Sequence, residues 1–142
     1  MRFEEAWEQY DFSESEIISM FWEIPLNYVL KVNYYWDLTS ESLPGQVATV
    51  ATDDQWLSLV LQDCIRLYFD GATKIESLAL LSTDVDFIRP ANFGTIVGWG
   101  LVTPSPWLEE LRLTPEEWSH IFFQIGANGK IEVLCRSLIV RR

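Results

Sequence analysis

The sequence predicts a mainly β fold with α+β character only at its margins. The expected architecture is an antiparallel sandwich or strongly curved sheet of about seven strands, with roughly two or three short helices. Two observations carry this expectation. From Asn27 to Asp37 the chain alternates, with Tyr28, Leu30, Val32, Tyr34 and Trp36 on one face and Lys31, Asn33 and Asp37 on the other. Strand side chains point to opposite faces in turn, so this pattern marks a half-buried antiparallel strand. Similar segments recur along the chain, whereas apolar residues at helical spacing are confined to short stretches.

In chain order, Phe3, Trp7 and Tyr10 fall at i, i+4 and i+7 and line one side of a short helix. Glu16 to Trp22 reads as a strand whose inward face is left open by the adjacent Ile17 and Ile18, and Pro25 separates it from the alternating segment. Thr39 to Asp54 is polar and small and reads as loop. Trp56 to Phe69 places Leu57, Leu59, Leu61, Ile65, Leu67 and Phe69 on one face, interrupted there by Asp63. A carboxylate among leucines costs several kcal/mol unless paired. A bend or bulge at Gln62-Asp63 that turns Asp63 outward avoids this cost. Leu30, Val32, Tyr34 and Trp36 are expected to share a core with Leu57, Leu59, Leu67 and Phe69, together with most of the tryptophans.

Asp70-Gly71 marks a turn, Lys74 to Leu81 is a further apolar segment, and Thr83 to Phe93 reads as loop. Thr95 to Val102 reads as a strand whose Gly98 and Gly100 permit twist or close approach. Ser105-Pro106-Trp107 combines a capping residue with a proline suited to the first helical position. Thr114-Pro115-Glu116-Glu117 forms a capping box. The closing hairpin is expected to turn through Ala127-Asn128-Gly129, with Gly129 left-handed. That register pairs Ile125 with Ile131, Phe123 with Val133 and Ile121 with Cys135. It pairs Gln124 with Glu132, Phe122 with Leu134 and His120 with Arg136 on the other face.

The length of 142 residues fits one domain, 1–142, large enough to bury a core without disulfide staples. With 49% apolar and 22% charged residues the composition is that of a folded globular protein. The net charge of −11 repels nucleic acid and anionic membranes, and it favours a basic protein partner or simply solubility. Glu4, Glu5, Glu8, Asp11, Glu14, Glu16 and Glu23 face only Arg2 in the first part of the chain, whereas Lys130, Arg136, Arg141 and Arg142 cluster near its end. The two groups would lie side by side if the terminal strands pair. Cys64 and Cys135 show no C-x-x-C spacing and sit in apolar contexts, so both are expected reduced and buried, as in a cytoplasmic protein. The first residues lack the apolar run of a signal peptide, and no segment approaches the ~20 apolar residues that span a bilayer.

No catalytic, cofactor-binding or metal-binding residue is singled out. His120 is the sole histidine, short of the four ligands of a structural zinc site, and it reads as a strand-edge polar residue beside Arg136. Asp53-Asp54 and Asp84-Val85-Asp86 lack the ligand spacing of a calcium loop. Gly94, Gly98 and Gly100 do not match the spacing of a nucleotide cradle, and there is no nucleophile elbow or Walker sequence. A glycosidase needs only two carboxylates, and nothing selects such a pair.

Asp11-Phe12-Ser13-Glu14-Ser15-Glu16-Ile17, the segment Tyr34-Tyr35-Trp36-Asp37 and the closing Gly129-Lys130-Ile131-Glu132-Val133-Leu134-Cys135-Arg136 resemble small acidic bacterial β-rich families of the toxin-immunity-protein type. The resemblance covers about a third of the chain. It implies a single-domain, cytosolic, non-enzymatic protein that neutralises a toxin. Many such families carry His-Asp after the phenylalanine, where this chain has Ser13-Glu14, and no functional residue is transferred. The expected function is thus an acidic protein-binding module without cofactor. The alternatives are a small-molecule-binding β-domain and an enzyme whose carboxylates the sequence does not single out. Glu4, Glu5, Trp7, Glu8 and Asp11 are the expected partner-binding residues, with Trp7 as aromatic anchor. The competing reading packs Trp7 onto the sheet and leaves the acids as its solvated face.

Overall fold

The computed structural model describes residues 1–34, 56–70, 94–126 and 129–142. Trp36, the loop regions Thr39 to Asp54 and Thr83 to Phe93, the segment Lys74 to Leu81 and the turn residue Gly71 lie outside these. Among the described residues the fold is mainly β, with eight strands in two antiparallel sheets and two short helices. The strands are β1 (Glu16–Glu23), β2 (Asn27–Asn33), β3 (Trp56–Gln62), β4 (Arg66–Asp70), β5 (Ile96–Leu101), β6 (Ser119–Ile125), β7 (Gly129–Cys135) and β8 (Ser137–Arg141). The helices are α1 (Phe3–Gln9) and α2 (Pro106–Leu111). One sheet runs β1-β2-β3-β8 and the other β4-β7-β6-β5.

Among the described residues the strands number eight, against about seven expected for the chain, and two long apolar runs each supply two of them. The run from Trp56 to Phe69 breaks at Asp63, and the closing segment breaks at Arg136. Both runs change sheet there, side by side: β3 pairs with β8 in one sheet, and β4 pairs with β7 in the other. Asp63, Cys64 and Ile65 separate the paired residues Gln62 and Arg66, whereas only Cys135 and Arg136 separate Leu134 and Ser137. The extra residue is a β-bulge, which bends the ribbon and brings Cys64 inward in place of Asp63, after which Leu67 and Phe69 face the core as Leu57, Leu59 and Leu61 do before it.

Asp63 takes a left-handed conformation (φ 53°) and is exposed, as the desolvation argument requires. Its N–H donates to Asn27 Oδ1 at 3.2 Å, and its carboxylate lies 3.8 Å from Arg136. The expectation for Ile65 is corrected. The bulge turns it outward, 43% exposed, and brings Cys64 into the core instead.

The core is continuous between the sheets. Leu30, Val32, Tyr34, Leu57 and Leu59 join Ile121, Phe123, Ile131 and Val133 in it, with Leu67 and Phe69 packed against them. Ile17 rather than Ile18 points inward, and a register shift between Ile17 and Ser19 absorbs the adjacent isoleucines. The tryptophans depart from expectation. Trp99 and Trp118 are buried, but Trp7 and Trp22 are about half exposed. The ends of the chain do approach, through Met1 rather than through paired terminal strands. Met1 and Leu138 exchange two backbone hydrogen bonds, at 2.6 and 2.8 Å, and Arg141 binds Glu23 at 2.8 Å.

The closing hairpin is shifted by two residues from the expected register. Ile125 pairs with Gly129, Phe123 with Ile131, Ile121 with Val133 and Ser119 with Cys135. A two-residue slip leaves every side chain on its face, so the burial pattern does not distinguish the two alignments. Glycine chemistry does. Gly126 takes the left-handed conformation (φ 57°), while Gly129 packs so closely on Ile125 that a Cβ there would lie 2.8 Å from the Ile125 carbonyl oxygen. Thr114 to Glu117 forms a single turn rather than a helix, closed by bonds from the Glu117 and Trp118 amides to the Thr114 carbonyl.

Leu59 is fully buried at the centre of β3. Leu59→Ala is expected to lower unfolding free energy by about 2–5 kcal/mol in urea titrations. Both cysteines are free and buried, and burial pushes the Cys64 thiol up to about 11 and raises that of Cys135 further. Both thiols are therefore expected to resist an aromatic disulfide reagent at pH 8 and to react fully once the chain is denatured without reductant.

An acidic helix and an adjoining cavity as candidate functional site

Helix α1 is short, and its N-cap Arg2 supplies no side-chain cap. It is held instead by burying Phe3 and Ala6, and Glu4 and Glu5 in the first turn complement the helix dipole. Burial of that side leaves Glu4, Glu5 and Glu8 exposed. Trp7 lies at the boundary. Its ring sits 5.6 Å from Phe3 and 5.0 Å from Trp99, yet 49% of the residue is exposed. Trp99 is itself fixed edge-on against Phe12 at 5.0 Å. Trp7 thus both packs on the sheet and presents a rigid aromatic edge to solvent.

Asp11 belongs to a different arrangement. It follows the helix, half-buried, and one of its carboxylate oxygens accepts the Ser13 N–H at 3.0 Å while its own N–H donates to the Tyr34 hydroxyl at 3.1 Å. The fold therefore gathers Glu4, Glu5, Trp7 and Glu8 on α1 and uses Asp11 to shape the turn that leads to β1.

Glu4 also lines a cavity of about 490 Å³ that α1 shares with the β5–α2 connection, α2 and the turn before β6. Ser105 and His120 form part of its wall. Sequence reasoning placed His120 at a strand edge beside Arg136; the structure corrects this. His120 pairs with Leu134 across β6 and β7, is 1% exposed, and stacks on Trp107 of α2 with 4.1 Å between ring centroids. Its Nε2 lies 2.9 Å from Glu132 and its Nδ1 2.7 Å from the Ser105 hydroxyl.

The bonding pattern fixes the tautomer. A carboxylate only accepts, so Nε2 carries the proton and Nδ1 accepts from the Ser105 O–H. The Ser105 oxygen in turn accepts the Leu108 N–H at 3.1 Å, the N-cap bond anticipated from Ser105-Pro106. Lys130 closes the line, 3.1 Å from the second Glu132 oxygen. Serine, imidazole and carboxylate stand in the order of a nucleophilic relay, but the hydroxyl is engaged in both directions and Ser105 is buried. Its work is to pin α2 onto the outer face of the β4-β7-β6-β5 sheet. Arg66 reinforces this from β4, bound to Glu110 at 3.1 Å and 5.3 Å from the Trp107 ring centre. The misaligned hairpin register hid this network, because it set Glu132 opposite Gln124 instead of Phe122.

Burial lowers the His120 pKa below its ordinary 6.5. The bond to and charge of Glu132 act in the opposite direction, and the charges of Lys130 and Arg66 add to the lowering. The cavity wall is therefore neutral at His120 at physiological pH.

No known protein family, curated protein or solved structure matches this chain. Among the described residues no helix is long and apolar enough to cross a membrane.

Because the folded-state pKa of His120 lies below the unfolded value, the unfolded chain binds the proton more readily. Stability is accordingly expected to fall as pH drops through 6.5, with a contribution of at most about 1.4 kcal/mol per pH unit from this group. Urea midpoints between pH 7.5 and 5.5 should show this slope in the native chain and a shallower one in His120→Phe. Parallel slopes would contradict the burial of a neutral imidazole.

Proposed function

We propose that this chain is a non-enzymatic, acidic protein-binding module that acts in the cytoplasm by occluding a basic protein, in the manner of an immunity protein that neutralises a bacterial toxin. The observation that supports this reading best is the surface of α1, which exposes Glu4, Glu5 and Glu8 along with the half-exposed Trp7. Binding energy concentrates in rigid aromatic anchors whose ordering cost is already met. Contacts with Phe3 and Trp99 hold Trp7 in place before any partner arrives. The exposed acids, within a net charge of −11, would steer a basic surface toward that anchor and disfavour nucleic acid.

The protein encoded by the gene immediately upstream is the first partner to test, by stopped-flow association at several salt concentrations. Joint Glu4→Lys, Glu5→Lys and Glu8→Lys is expected to slow association about tenfold at low salt and to flatten its salt dependence, with the circular dichroism unchanged. Trp7→Ala should act mainly on the dissociation rate. Unchanged rates and salt slope in the triple variant would place the binding surface elsewhere.

A further inference from the structure

The cavity beside α1 has a specific chemical character. Its wall is mainly apolar, with Leu101, Leu108, Leu113, Pro115 and Trp118 among the residues that form it. The charged groups among its described lining residues are Glu4, from α1, and Glu109, from α2; neither lysine nor arginine occurs among them. The polar groups deeper in the wall are already used. Ser105 binds Leu108 and His120, and His120 binds Ser105 and Glu132, so neither is left to bind a ligand head group. His120 adds no positive charge at neutral pH.

An occupant must therefore present apolar surface to the walls and positive charge toward the two carboxylates. The ring of Trp118 already has the Arg136 guanidinium 4.6 Å from its centre, which leaves Glu4 and Glu109 as the cation's partners. Glu4 now faces Arg2 at 3.5 Å, with both side chains more than half exposed. Such a pair contributes about 0–1 kcal/mol and exchanges readily. Among the described residues Glu109 has no ion-pair partner. The volume of about 490 Å³ lies in the range that takes small ligands, with room for a long side chain and an apolar neighbour.

The geometry points to this cavity as the seat for a basic side chain of the protein partner, an arginine or lysine flanked by an apolar residue, held by its stem between Leu108, Leu113 and Trp118 and by its charge between Glu4 and Glu109. This assignment rests on the partner-binding reading above and adds a second anchor beside Trp7. Long basic side chains suit such a site because their stems bury against apolar walls while the head remains with the carboxylates.

The test uses the full chain and two peptides, acetyl-Leu-Arg-Leu-amide and its citrulline twin, which keeps the shape and removes the charge. Titration of ¹⁵N-labelled protein with the arginine peptide should move the assigned Trp118 indole signal saturably, with a dissociation constant of about 1 mM or tighter. The citrulline peptide, and the arginine peptide against a Glu4→Gln/Glu109→Gln variant, should each bind about fivefold more weakly. Glu5→Lys/Glu8→Lys should leave saturation of the Trp118 signal intact. No response at Trp118, equal binding of the two peptides, or insensitivity to the Glu4 and Glu109 replacements would overturn the assignment. Peptide binding at Trp118 alongside failure of the upstream partner to respond to the α1 charges would place that partner's binding surface elsewhere and leave the cavity's preference standing.

Discussion

The bent ribbon formed by β3–β4 and β8–β7 is the constraint on which the rest of the molecule depends. A single antiparallel pairing runs through both sheets, and it turns where Asp63 adds one residue to one strand. Across that turn the Ile65 N–H donates to the Leu134 carbonyl and the Arg136 N–H to that of Gln62, each at 2.9 Å, so the ladder is not interrupted as it changes sheet. The Cys64 N–H donates to Leu26 at 2.8 Å, which ties the β1–β2 hairpin to the same corner. Because the bulge exchanges Asp63 for Cys64 on the inward face, the bend keeps the carboxylate in water and the core apolar in one step.

From that corner the positions of the remaining parts follow. β7 carries Glu132 and Leu134 on the face opposite the core, and β6 brings His120 beside them. These residues require a cover, since Leu134 and His120 are almost fully buried there. Helix α2 is that cover, fixed by its Ser105 cap, by the Trp107–His120 stack and by Arg66. A neutral histidine can accept from a serine and donate to a carboxylate at once. On the other flank, the Met1–Leu138 pairing and the Trp99 contacts seat α1 between the edge strands β8 and β5. Residues of both helices line the cavity, so its acids come from α1 and α2 and its apolar walls from α2, β5 and the segment before β6.

Much of the fold was legible because period and burial are local properties. The core-facing Tyr28, Leu30, Val32 and Tyr34, the outward turn at Asp63 and the cap at Ser105 can each be read from a few neighbouring residues, whereas Val29 and Asn33, on the face expected to be exposed, are buried as well. Of the site, Glu4, Glu5, Glu8 and Trp7 were legible as acids and a ring on one short amphipathic stretch. Asp11 was not separable from them, because its engagement with Ser13 and Tyr34 depends on where the helix ends. The cavity was illegible, since Glu4 and Glu109 come from distant parts of the chain and line one cavity only in the folded structure.

What the sequence by itself determined is therefore the strand character, the core-facing residues of β2 and β3, the need for a bend at Asp63 and the acidic, aromatic nature of α1. Each follows from side-chain chemistry repeated at a fixed spacing. Only the tertiary structure decided that the long runs divide between two sheets, that Ile65 yields its inward place to Cys64, that the closing hairpin turns at Gly126, and that His120 is a buried link between Ser105 and Glu132. These outcomes turn on one-residue and two-residue shifts in pairing and on contacts across long stretches of chain, to which the local apolar pattern is blind.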